Sequence, residues 1–228
     1  MIVSVHQPQY LPWLGYFDKI SSCDVFVFLD TVQYKKNEWQ NRNKIKTANS
    51  SMWLTVPVNY RFPQKIFEVT IDRKKHWKRK HLKALEINYS SAPYFMEYFP
   101  EIKKIIEKEF IYLKDLNIAL IIKIMSFLGI KTKTLSSSEM DDLPDDADER
   151  LIGICKRIGA NKYLAGAGGK DYMNFKKYED SGIEVIFQEY KHPVYPQQYG
   201  SFLSHLSIVD LLFNCGKESY SILKGDKL

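Results

Sequence analysis

Apolar residues recur along the chain in short runs, separated by polar loops and by segments with helical spacing. The first run, residues 2–5, precedes a polar loop, a helical segment at 12–21 and a second run at 25–29. A short continuous apolar run is typical of a strand buried on both faces of a parallel sheet. The opening therefore predicts strand, loop, helix and strand.

The same alternation of strand-like and helix-like patterns continues along the rest of the chain. It predicts strands at residues 53–58, 67–71, 130–135, 163–165 and 183–188, and helices at 76–88, 101–112, 117–128, 145–158 and 207–214. Such alternation indicates an α/β fold with a mainly parallel, Rossmann-like sheet flanked by helices. We predict a single α/β domain over residues 1–228, with a small mixed insertion or lid at about residues 60–100.

Composition and cysteine content limit the classes of protein to which this chain can belong. The chain has 228 residues, of which 45% are hydrophobic, enough for a packed core. Its three cysteines are odd in number and widely spaced, which argues against a disulfide scaffold or a zinc site. No run approaches the length needed to span a bilayer, and no secretion signal is recognisable. We expect a cytoplasmic protein with no membrane span.

The formal net charge is +6, and much of the basic excess falls in residues 73–83. Such a run can contact nucleic acid or an anionic membrane. No nucleic-acid-binding motif accompanies it, so the simpler interpretation is the solvated face of a helix.

The loop after the first strand carries the first candidate residues. In an open parallel sheet this loop lies at the carboxyl edge, where such folds bind ligands, and the free amides of a helix start favour an anion. His6 is a candidate catalytic base, although a histidine there can instead bond a backbone carbonyl. The candidate binding residues of this loop are Gln7, Tyr10 and Trp13.

A second polar loop, residues 31–43, follows the second strand. Asp30 at the strand end can act as a general base, hold a metal or bind a ribose hydroxyl. Amides suit a polyhydroxylated ligand, an arginine grips carboxylate or phosphate, and aromatic rings stack on a base or sugar. The alternative is that the amides only satisfy the loop backbone. The candidates are Gln33, Tyr34, Trp39, Asn41 and Arg42.

Further candidates follow the later strands. Ser137 lies at one strand end, and Gly166 and Gly168 lie in a turn that lets a ligand approach the backbone closely. That turn lacks the residues of a Walker or dinucleotide-binding loop. Near the end of the chain, His192 is a second candidate base, with Tyr195 and Gln197 as binding residues. We expect His6, the polar loop after Leu29 and the His192 segment to surround one pocket.

These residues lie in blocks that resemble the WbqC-like protein family. The blocks are HQPQYLPWLGYFDKI from residue 6, DVFVFLDTVQY from 24, WQNRNKI from 39, WLTVPV from 53, YLAG from 163, HPVYPQ from 192 and LSIVDLLFNCG from 206. They run in the family's order over nearly the whole chain.

The resemblance implies a function. Members occur among bacterial surface-polysaccharide genes, including O-antigen loci, and some are described as acyl or glycine transferases onto amino sugars. It therefore implies a transferase whose partners are a sugar or nucleotide sugar and an acyl donor. Nucleic acid is not expected as a partner, because no binding motif accompanies the basic run. The resemblance assigns no cofactor and no residue roles.

The opening is also similar to the start of the pantothenate-synthetase and nucleotidyltransferase superfamily. That start carries an H-x-G-H motif, and here residues 13–16 read W-L-G-Y, so only the glycine matches. Two alternatives to acyl transfer remain open at this point. One is nucleotidyl transfer or carboxylate adenylation, and the other is a non-catalytic module that binds sugar or nucleic acid.

Overall fold

The structure of the protein is a computed structural model that describes residues 1–225. Within these residues the strands are β1 (Ile2–His6), β2 (Val25–Phe28), β3 (Arg42–Lys46), β4 (Ser51–Thr55), β5 (Val58–Asn59), β6 (Thr70–Ile71), β7 (Lys133–Ser136), β8 (Lys162–Ala165) and β9 (Glu184–Phe187). The helices are α1 (Leu14–Ser21), α2 (Trp77–Tyr89), α3 (Phe95–Glu107), α4 (Leu113–Phe127), α5 (Ala147–Ile158), α6 (Phe175–Asp180), α7 (Ile208–Cys215) and α8 (Ser219–Lys224).

Five parallel strands form the largest sheet, in the order β7-β2-β1-β8-β9. The central strand β1 pairs with β2 through Val3 and Val25, and with β8 through Val3 and Tyr163. Strand order runs outward from β1 in both directions, so the winding of the sheet reverses between β1 and β8. Ligands of open α/β sheets bind at the carboxyl ends of the strands at such a reversal. The predicted fold class is confirmed.

The chain divides into two compact units, and the sheet belongs to the first. This sheet unit contains Met1–Gln7, Asp18–Thr31 and Lys131–Tyr190. Its core packs Val5 and Val27 of the sheet with Ile154 and Cys155 of α5. Helix α5 begins where the Asp146 side chain accepts a hydrogen bond from the Glu149 amide, and it ends at Gly159, whose φ of 75° suits glycine.

The second, helical unit contains Pro8–Phe17, Val32–Ile130 and the described residues 191–225. It holds the antiparallel pairs β3–β4 and β5–β6. Aromatic packing joins α3 to α7: the Phe95 ring centroid lies 5.1 Å from that of Phe213, and 4.4 Å from that of Phe99 in its own helix. Residues 60–100, the expected insertion or lid, fall within this unit.

Three local predictions differ from the structure. The helix expected to begin after Pro100 begins at Phe95 and contains that proline, because buried Phe95, Tyr98 and Phe99 hold its first turns in place. The strand expected at residues 67–71 is a 3-10 turn, Ile66–Glu68, followed by the two-residue β6; the Glu68 carboxylate accepts the Lys65 amide at 2.8 Å and closes the turn. The loop expected at 31–43 ends in β3.

No helix within residues 1–225 combines the length and the apolar character that a membrane crossing requires.

Candidate functional site

His6 ends β1 at the carboxyl edge of the sheet, where the winding reverses. Its Nδ1 donates to the carbonyl oxygen of Gln7 at 3.2 Å, so the proton lies on Nδ1 and Nε2 is the basic nitrogen. Burial, followed by the nearby positive charge of Lys19, lowers the pKa of His6 to about 3. The imidazole is therefore neutral at physiological pH. The candidate binding residue Gln7 follows His6 and ends the first segment of the sheet unit, Met1–Gln7.

A buried lysine lies close to this histidine. The Nζ atom of Lys19, on α1, donates to the carbonyl oxygen of Val5 at 3.1 Å. Burial lowers the pKa of Lys19 to about 8. Because the amine is still largely protonated at neutral pH, it adds positive potential at the edge of the sheet and favours an anionic ligand there.

Asp30 and Ser137 brace the neighbouring strand ends. The Asp30 carboxylate accepts the Ser137 hydroxyl at 2.9 Å, the Ser138 amide at 2.8 Å and the Ser138 hydroxyl at 2.6 Å. The Ser137 hydroxyl oxygen also lies 3.1 Å from the Asp30 amide. These bonds tie the end of β2 to the turn after β7. They occupy much of the acceptor capacity that a base or metal ligand needs.

The glycine turn after β8 leaves room beside its backbone. A Cβ atom at Gly166 or Gly168 would meet nothing within 4 Å, whereas one at Gly169 would lie 2.8 Å from Sδ of Met173. A side chain at residue 169 would therefore force the Met173 side chain to shift. Gly166 directly follows β8, so the open space at this residue lies at the carboxyl edge of the sheet.

A cavity of about 750 Å³ lies wholly within the helical unit. Tyr34 and Asn41, two candidates from the polar loop, line it. Both side chains are buried, and the Tyr34 hydroxyl and the Asn41 Oδ1 atom have no hydrogen-bond partner. Asn41 Nδ2 donates to the Val56 carbonyl at 2.9 Å, which fixes the orientation of this amide. Other lining residues are Lys36, Arg61, Lys75, Asn59 and Gln64.

The remaining candidates of the polar loop, Gln33, Trp39 and Arg42, do not line this cavity. Gln33 is exposed and forms an isolated bridge with Lys65. Trp39, 41% exposed, lies 5.5 Å from Trp53, ring centroid to centroid. The Arg42 guanidinium lies 4.2 Å from the Trp53 ring centroid, a cation–π contact.

Tyr10, from the first loop, is completely buried and does not border the cavity. His81 Nε2 donates to the Thr55 carbonyl at 3.2 Å, so Nδ1 accepts the Tyr10 hydroxyl at 2.9 Å. Burial raises the pKa of Tyr10 and lowers that of His81 to about 4. The pair is therefore an uncharged hydrogen-bonded contact between the first loop and α2, which suits a structural role.

His192 belongs to an aromatic cluster rather than to the cavity. Its Nδ1 donates to the Pro193 carbonyl at 2.8 Å, and its Nε2 accepts the His205 amide at 3.1 Å. The Trp13 ring stacks at 6.2 Å from the His192 ring and 5.2 Å from the His205 ring. The Tyr195 ring lies 6.3 Å from His192 on centroids. Both imidazole nitrogens are engaged by backbone groups, which disfavours His192 as a base.

Gln197 is part of a buried polar network. Its Nε2 donates to Asp210 at 2.8 Å, and its Oε1 accepts Lys46 Nζ at 3.0 Å. The Tyr89 hydroxyl donates to the other Asp210 oxygen at 2.7 Å. Burial raises the pKa of Asp210, and the hydrogen bonds that its carboxylate accepts offset part of this rise. These mutually satisfied contacts join β3, α2, α7 and the chain after His192.

The single pocket expected around His6, the polar loop and the His192 segment stays a prediction. The cavity is lined by residues between 34 and 75, so the His192 segment contributes nothing to its wall, and His6 belongs to the sheet unit. Sequence reasoning also missed Lys19 and the three cations of the cavity. Lys75 lies in the basic run of residues 73–83, for which the sequence alone favours a solvated helix face. Residues 1–225 contain no group of three or more His, Cys, Asp or Glu side chains placed to hold a metal.

Two comparisons with known proteins match nearly the whole length of the chain. Residues 7–222 match the model of the WbqC-like protein family. The chain is 38% identical over 226 residues to the uncharacterized protein Rv1507c of Mycobacterium tuberculosis (strain ATCC 25618 / H37Rv), covering 97% of each chain. No solved structure matches. This chain therefore belongs to the WbqC-like protein family.

Proposed function

We propose that this protein is an enzyme that transfers an acyl or aminoacyl group to the amine of an amino sugar, in its nucleotide-linked form, during synthesis of a bacterial surface polysaccharide. The observation that carries the proposal is the position of His6, which ends β1 at the carboxyl edge of the sheet and whose imidazole burial keeps neutral. Amide formation needs a group that accepts a proton from the attacking amine. The same position is where open α/β sheets bind their substrates.

The proposed step forms one bond and breaks one. The sugar amine attacks the acyl carbonyl, the amide bond forms, and the bond between the acyl group and its carrier breaks. Once the amine nitrogen is bonded to the carbonyl carbon it is cationic, and its proton is acidic enough for a weak base to remove. His6 takes that proton on Nε2 and passes it to the leaving group.

Lys19 keeps the imidazole of His6 unprotonated before the reaction begins. Its positive charge lies near His6, and it lowers the pKa of that imidazole. Positive potential also stabilises negative charge that develops on the carbonyl oxygen. Gly166 and Gly168, with open space beside them, let a substrate approach the backbone at the neighbouring strand end.

The test is turnover by the purified protein. Nucleotide-linked amino sugars are incubated with acyl and aminoacyl donors, and the N-acylated product is detected by mass spectrometry. We expect His6→Gln to lower kcat by about 100-fold or more, as for loss of a general base. His192→Gln is the matched control and should retain most of the activity, because its nitrogens already bond the backbone.

Two results would contradict the proposal. Full turnover by His6→Gln would remove the histidine from the mechanism. ATP-dependent release of pyrophosphate, without transfer from a preformed acyl donor, would instead indicate carboxylate adenylation or nucleotidyl transfer.

A further inference from the structure

The cavity of the helical unit contains polar atoms that the protein itself leaves unsatisfied. Tyr34 is 2% exposed and Asn41 is 5% exposed, yet the Tyr34 hydroxyl and the Asn41 Oδ1 atom have no partner. Buried polar groups in folded proteins are nearly always hydrogen-bonded, and an unsatisfied one costs stability. Two such atoms in residues that line the same cavity indicate that this wall is completed by a bound molecule.

The charge of the cavity indicates what that molecule carries. Lys36, Arg61 and Lys75 line it, and no aspartate or glutamate is among the lining residues. Among the described residues none of these three cations forms an ion pair with a carboxylate. Cations that line a cavity without acidic neighbours attract an anion, and arginine with lysine is a typical set for a phosphate group.

The other lining side chains suit hydroxyl groups. Thr55, Asn37 and Asn59 offer hydrogen-bonding groups around the same space, and Tyr60 offers an aromatic ring. The volume of about 750 Å³ lies within the range of sites for small molecules.

We propose that this cavity binds a phosphate ester of a small hydroxylated molecule, either a sugar phosphate or a nucleotide. Arg61, Lys36 and Lys75 bind the phosphate, and the wall formed by Tyr34 and Asn41 binds hydroxyl groups of the ligand. The inference rests on the cavity alone and does not need the transfer reaction assigned to His6.

The experiment is calorimetric titration of the full chain with defined probes. Glucose 1-phosphate and uridine diphosphate represent the two sources of phosphate ester. Glucose tests the need for charge, glucuronate replaces phosphate by carboxylate, and inorganic phosphate lacks the hydroxylated part. We expect saturable binding of at least one ester, which identifies the source, and weaker binding of the other three probes.

Variants then locate the site. Arg61→Gln and Lys75→Gln should each raise Kd by about tenfold, the usual cost of a charged hydrogen bond to phosphate. Lys83→Gln removes the same charge from an exposed position on α2 that does not line the cavity, and should bind like the wild type.

Tyr34→Phe separates ligand binding from a purely structural role. It removes a buried hydroxyl without a partner, so the Tm of the ligand-free protein should stay level or rise. The rise in Tm produced by the ester should shrink, with Kd about fivefold higher. Binding of neither ester, equal binding of glucuronate, or equal weakening by Lys83→Gln would each overturn the proposal. Because the readout is binding, failure of His6→Gln to affect turnover leaves this result unchanged.

Discussion

Stability in acid should depend on His6. Its pKa is about 3 in the folded protein, against 6.5 for a free histidine, because burial and Lys19 disfavour the imidazolium. Between these two values the unfolded chain binds more protons than the folded one, so stability falls as the pH falls. From about pH 6 to about pH 4.5 this group alone lowers the free energy of unfolding by about 2 kcal/mol.

The measurement is urea denaturation at both pH values. His6→Gln keeps a side-chain amide donor near the Gln7 carbonyl but cannot take up the proton, so its unfolding free energy should fall by about 2 kcal/mol less over this interval. His76→Gln, at an exposed histidine before α2, is the matched control and should follow the wild type. If the pH dependence of His6→Gln equals that of the wild type, the imidazole protonates freely in the folded state, and the argument for a neutral base fails.

Two further predictions concern stability. Asp210→Ala leaves the buried Tyr89 hydroxyl without its acceptor and should lower the free energy of unfolding by about 3 kcal/mol. Asp210→Asn keeps one acceptor oxygen and should lower it by less. Equal losses for the two variants in urea denaturation would refute this reasoning. Gly169→Ala places a Cβ atom against Met173 and should destabilise by about 1–3 kcal/mol, while Gly168→Ala meets open space and should not; a lower Tm for the second variant would show that Gly168 has another role.

The sheet could be predicted from the sequence because its signals are local. The run at residues 25–29 is apolar throughout, and all four residues of β2 are buried. The acidic start before α5 and Gly159 after it mark that helix correctly. Local signals failed at Pro100, because the residues that hold the first turns of α3 are aromatic and are buried by tertiary packing.

The candidate sites were harder to predict, since a residue type does not reveal its partners. In the sequence His6 and His192 look alike, since each lies in a polar segment that contains proline. The structure shows that backbone groups bond both ring nitrogens of His192. Asp30 looks like a base in the sequence, and only the structure brings Ser137 and Ser138 to its carboxylate. Lys75 joins Tyr34 at one cavity because the chain folds back, which no spacing in the sequence records.

The position of β1 has a consequence for biosynthesis. The Ser4 hydroxyl donates to the Leu164 carbonyl, and these residues are 160 positions apart. During synthesis β1 and β2 leave the ribosome early. One edge of β1 pairs with β8, so the backbone hydrogen bonds of that edge form only after β8 has been synthesised. Such distant pairing is slow, and an unpaired strand edge invites association with other chains. We therefore expect nascent chains that stop short of β8 to require chaperone protection.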